Sequence, residues 1–89
     1  MSAVTHSDPQ TIVRLANRIG EFFAAYPCHD EAVEGVASHL RKFWEPRMRR
    51  QLYAHLDGAA QGEGLSELLR ETALARRAEL EPAAAPPTR

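Results

Sequence analysis

Eighty-nine residues make one domain at most, and a core drawn from them lies near the lower limit at which apolar packing alone stabilises a fold. Cys28 is the only cysteine, which excludes an internal disulfide and favours self-association or a partner as further support, with a tight helical bundle that stands alone as the alternative. The formal net charge of −1 argues against a globally basic nucleic-acid binder.

Asp8-Pro9 predicts a helix start, with Asp8 capping free N–H groups and Pro9 at the first helical position. Ile12, Leu15, Ala16, Ile19, Phe22, Phe23 and Tyr26 then recur at spacings of three and four, opposite Arg14, Asn17, Arg18 and Glu21. Pro27 closes this first helix, expected over 9–26, because the residue before a proline is pushed out of the helical region.

A second helix is expected from Asp30 as its cap, with Glu31 and Glu34 near its positive end and Arg41 and Lys42 near its negative end. Its apolar stripe is Val33, Val36, Ala37, Leu40, Phe43 and Trp44. Gly35 lies beside that stripe, either admitting close approach of the first helix or standing as a tolerated weak point. Pro46 breaks the run after Glu45 and opens a third helix to about Leu56, with Met48, Leu52, His55 and Leu56 on one stripe. Arg47, Arg50 and Ala54 share another face of it.

Asp57-Gly58 ends the third helix, and 58–64 reads as a flexible loop. Ser66 caps a fourth helix supplied with Leu65, Leu68, Leu69, Ala73 and Leu74. The stretch ALARRAELEP has few large apolar groups and is expected to fray, and PAAAPPTR to be disordered. The fold class is therefore all-α, a small bundle of three to four helices with a disordered C-terminal tail. Its organisation is a flexible N-terminus over 1–8, a helical domain over 9–76, and a fraying end with tail over 77–89.

The ends carry no further signal. The N-terminus lacks the apolar and basic regions of a secretory signal, and no apolar run is long enough to cross a bilayer. A lone free cysteine fits a reducing compartment, so the cytoplasm is expected.

Catalytic, cofactor-binding and metal-binding residues are not expected. Cys28, His29 and Asp30 are adjacent and seldom point at one ion, while His39 and His55 lack the spacing that places two ligands on one helical face. Nothing positions a base beside Cys28, and the glycines at 62–64 have no preceding strand for a phosphate loop.

The concentrated feature is a basic block. Residues 41–56 carry Arg41, Lys42, Arg47, Arg49 and Arg50 against Glu45, whereas the regions on either side are acidic. Its plainest reading is a core contribution from Phe43, Trp44, Met48 and Leu52 with a solvated charged face. Nucleic-acid binding is an outsider, given the acidic flanks. A protein interface suits the composition better, because Trp, Arg and Met are enriched at interface centres. Phe43, Trp44, Pro46, Arg47, Arg49 and Arg50 are the residues expected to meet a partner.

These residues also carry a resemblance. LANRIGEFF at 15–23, EAVEGVASHLRKFWEPRMRRQLYAHL at 31–56 and GEGLSELLRE at 62–71 resemble the delta subunit of soluble NAD-dependent, molybdenum-containing formate dehydrogenases. FWEPRMRRQL is the most specific part, and the resemblance covers roughly residues 10 to 75. It implies a place in a cytoplasmic complex whose alpha subunit holds a molybdenum guanine dinucleotide and iron–sulfur clusters. Beta and gamma subunits in that complex carry FMN and further clusters and deliver electrons to NAD. The delta subunit is the small member without an obvious cofactor, and two roles are implied for it. One is a stably bound structural subunit docked on alpha; the other is a transient maturation factor that inserts or protects the cofactor and leaves.

Overall fold

The computed structural model describes residues 9–82, and among these every regular element is a helix. The elements are α1 (Pro9–Ala24), α2 (His29–Phe43), α3 (Pro46–Asp57), α4 (Glu67–Ala75) and the single turn α5 (Arg77–Leu80). The all-α bundle read from periodicity is the fold observed. Asp8 and the end of the expected tail, 83–89, lie outside the described residues.

Ile12, Ala16 and Ile19 of α1 face Val36, Ala37 and Leu40 of α2, and Leu52, Tyr53 and Leu56 of α3 close the core from a third side. Leu69 and Ala73 of α4 and Leu80 of α5 complete it. Burying apolar side chains of this size contributes about 1.5–3 kcal/mol each and offsets the entropy of ordering a short chain.

Several boundaries differ from expectation. α1 ends at Ala24 rather than 26, and the chain turns with the Tyr26 N–H donating to the Phe23 carbonyl at 3.0 Å. Asp30 does not cap α2; Cys28 is the N-cap residue, its carbonyl accepting from the Ala32 N–H, and Asp30 sits inside the first turn. There the helix dipole favours a carboxylate without a capping bond. α2 stops at Phe43, because Trp44 and Glu45 are drawn into extended geometry ahead of Pro46.

Residues 58–66 are a wound connection rather than a loose loop. Gly62 and Gly64 take positive φ of 79° and 91°, which their lack of a Cβ allows, and the Gly62 N–H returns to the His55 carbonyl at 3.0 Å. Asn17, expected on the polar side of α1, clamps this connection with both ends of its amide. Its Nδ2 donates to the Gly64 carbonyl and its Oδ1 accepts from the Ser66 N–H, each at 2.8 Å. Ser66 caps α4 as expected, its Oγ accepting from the Leu69 N–H at 3.2 Å.

The stretch expected to fray beyond residue 76 instead forms α5 and seats Leu80 with no exposed surface. The signal is a single leucine in a charged run, and what holds it is polar. Arg76 pairs with Glu34 of α2, Arg41 with Glu79, and Arg77 reaches Asp57 of α3 as well as Glu81. The Arg77 guanidinium also lies 4.9 Å from the centre of the Tyr53 ring.

Candidate partner-docking face

The six residues expected to form one interface divide into two groups. Trp44 is only 7% exposed and belongs to the core at the α2–α3 junction. Arg49 is half-buried and donates to the Leu80 carbonyl at 3.2 Å, satisfying an orphan acceptor at the end of α5. Phe43, Pro46, Arg47 and Arg50 are exposed. The reason is the sharp turn at Glu45-Pro46, which sends neighbouring side chains of FWEPRMRR to opposite sides of the chain. Sequence proximity therefore does not make one surface here.

What Phe43 joins instead is a row of rings on the C-terminal halves of α1 and α2. The apolar face of α1 is wider than the bundle covers: Ile12, Ala16 and Ile19 point inward, while Phe22 is 64% exposed and Tyr26 lies on the surface. On α2, successive residues advance by about 100°, so Phe43 falls beside the buried Val36–Leu40 stripe and is 70% exposed. His39, one turn earlier, packs against Phe43 with ring centres 4.9 Å apart and the rings tilted by 47°. Phe23 meets Phe22 edge-on at 4.8 Å and Tyr26 at 5.1 Å, and lies 6.5 Å from His39.

Gly35 explains how Phe23 fits between the helices. A Cβ at that position would stand 2.4 Å from two ring carbons of Phe23, so the glycine is the seat of the ring. Of the two readings left open for Gly35, close approach is the one observed. With Leu15, Ile19 and Met48 as its floor and Phe22 and Phe43 as its walls, the result is a shallow apolar groove of about 720 Å³. The rings were legible as residues but not as a surface. The available signal was the breadth of the α1 apolar arc, with Phe22, Phe23 and Tyr26 falling within five positions.

Elsewhere several polar side chains pair across helices. The hydrogen bond from Arg76 holds Glu34 below the usual carboxylate range, and that from Arg77 does the same to Asp57. His29, bonded to Glu71 at 2.8 Å, is raised above its ordinary pKa by that carboxylate. Burial pushes the Tyr53 phenol up to about 12 while its hydroxyl donates to the Ala73 carbonyl at 2.7 Å. His55, half-buried, meets the Glu63 carbonyl at 2.8 Å.

The Glu34–Arg76, Asp57–Arg77, His29–Glu71 and Tyr53–Ala73 contacts tie separate helices together. Cys28 is exposed, and it is the only thiol of the chain, whereas an iron–sulfur cluster takes about four. Among the described residues no three His, Cys, Asp or Glu side chains stand close enough to hold a metal ion, and no helix is long and apolar enough to cross a membrane.

Neither the curated proteins nor the solved structures return a match to this chain. A family model described as NADH-dependent formate dehydrogenase delta subunit, FdsD, matches residues 11–73. That span contains α2 and α3 whole, nearly all of α1 and most of α4, including both walls of the groove. Covering well over half of the chain, it agrees with the resemblance carried by FWEPRMRRQL, and the protein belongs to the NADH-dependent formate dehydrogenase delta subunit family.

Proposed function

We propose that this chain is a non-catalytic accessory subunit that docks on the large, molybdenum-containing alpha subunit of a cytoplasmic formate dehydrogenase and supports assembly or stability of the complex. In this reading the molybdenum guanine dinucleotide, iron–sulfur clusters, FMN and NAD belong to the alpha, beta and gamma subunits, and this chain binds none of them.

The observation that carries the reading is the aromatic groove. Small soluble proteins seldom leave a contiguous apolar patch open to water, and this one places two phenylalanines at its walls, each more than half exposed. Aromatic side chains are enriched at the centres of protein interfaces, where excluding water makes their large carbon surface count.

The test is purification of the enzyme through a tag on the alpha subunit, followed by quantification of this chain in the cofactor-loaded fraction. Stoichiometric retention, together with faster loss of activity on heating when the chain is deleted, is the expected result. Retention only in cofactor-free alpha would instead establish the transient maturation role. Absence from both fractions would overturn docking on alpha altogether.

A further inference from the structure

We propose that the aromatic groove takes an amphipathic helix of a larger subunit whose apolar stripe is flanked by carboxylates. This rests on the docking reading above and adds the chemistry required of the opposing surface.

The basis is how the cations are distributed. Arg41, Arg76 and Arg77 are paired with carboxylates, and Arg49 and Arg70 donate to backbone carbonyls. Arg18, Lys42 and Arg47 are exposed and carry no ion pair among the described residues. Arg18 lines the groove, and Lys42 and Arg47 adjoin its lining residues Phe43 and Met48 in the chain. Arg14 lies one turn before Arg18 on α1, and Arg50 one turn after Arg47 on α3, both exposed. Glu45 is the one carboxylate in the 42–50 stretch. Of the exposed charges without an ion pair, Arg14, Arg18, Lys42 and Arg47 line the groove or adjoin its lining residues in the chain, against Glu21 and Glu45, so positive charge is in excess there.

That pattern selects the occupant. Two copies meeting through this face would oppose two surfaces with the same excess of positive charge, which disfavours that pairing. A floor of Leu15, Ile19, Phe23 and Met48 offers carbon, which apolar side chains cover and a phosphodiester chain does not. From Leu15 to Phe22 the α1 side runs about 11 Å, enough for helix anchors at successive i, i+3 or i+4, and i+7 positions. Carboxylates beside those anchors would meet arginine forks in paired geometry.

The experiment measures binding of the full chain to the isolated alpha subunit, and to the assembled complex lacking this chain, at low and high salt. Three variants are compared after circular dichroism and melting confirm that each is folded: Phe22→Ala with Phe43→Ala, Arg18→Glu with Arg47→Glu, and Leu74→Ala on the exposed side of α4. The proposal expects the aromatic pair to weaken binding about tenfold or more, as interface anchors do. It expects the charge reversals to slow association and flatten its salt dependence, with Leu74→Ala neutral. If the aromatic pair weakens binding and the reversals do not, the acidic helix is wrong. If wild type binds and neither pair matters, the groove is not the docking face, although the accessory role stands. Wild type binding to no subunit would sink the accessory role itself. Self-association or nucleic-acid binding abolished by the same variants, with subunit binding unaffected, would overturn the proposal in favour of those occupants.

Discussion

Trp44 and Phe43 are neighbours in FWEPRMRRQL, and the structure predicts opposite consequences for truncating them. A tryptophan buries on the order of 200 Å², and Trp44 keeps only 7% of its surface exposed. At about 25 cal/mol per Å² the gross transfer value is roughly 5 kcal/mol. Alanine retains part of that area, and the site opens toward the groove near Met48, so water and side-chain relaxation fill some of the void. The expected loss for Trp44→Ala is therefore about 3–4 kcal/mol, at the lower side of the range for large aromatics. A chain of this length has roughly 4–13 kcal/mol to lose, so the variant should melt about 10 °C or more below wild type. Phe43→Ala removes a ring that is 70% exposed and should change stability by no more than about 0.5 kcal/mol. Urea titrations of the full chain followed by far-ultraviolet circular dichroism give both numbers, with linear extrapolation and shared slopes as the check on two-state behaviour. Equal and small effects from the two variants would refute the placement of Trp44 in the core; equal and large effects would refute the exposure of Phe43.

Other expectations follow from individual contacts. Leu80→Ala should cost about 2–3 kcal/mol in the same titrations if α5 is docked, because Leu80 is fully enclosed, whereas a frayed end would lose almost nothing. Gly35→Ala gains about 1 kcal/mol of helix propensity but overpacks the Phe23 ring; net destabilisation is expected, and a more stable variant would show that Phe23 is not seated there. His29 should titrate above its ordinary value of 6.5 by NMR and return toward it in Glu71→Gln. A raised histidine stabilises fully below the unfolded value, and that contribution disappears as pH rises through the folded value. Glu34 and Asp57 act with the opposite sign: their depressed values stabilise above the ordinary carboxylate range and cease to do so as pH falls through the folded values. Relative to the intrinsic exchange rate at each pH, protection of amides around Leu80 should accordingly fall in acid before protection around Leu40 does.

Periodicity and punctuation determined most of the architecture. Apolar residues at three- and four-residue spacing, Pro27 and Pro46 as breaks, and Ser66 as a cap placed four helices close to their observed bounds. These signals are local, and local backbone preferences are what a short window of sequence encodes. FWEPRMRRQL by itself also pointed to the family, since its order of residue types is distinctive regardless of where each side chain faces.

Tertiary structure alone decided which members of that segment are available to a partner. Trp44 and Phe43 have the same apolar character in sequence, but the turn ahead of Pro46 directs one into the core and leaves the other beside His39. Arg49 and Arg47 differ likewise: one satisfies the Leu80 carbonyl and the other is exposed. Helix α5 was illegible for a related reason, because its place depends on Glu34, Asp57 and Tyr53, each at least twenty positions away. The groove needed both α1 and α2 in position, with a glycine on one making room for a ring on the other. A helix has several sides, its pattern shows how much of it is apolar, and only the packing of the remaining helices determines which part stays uncovered.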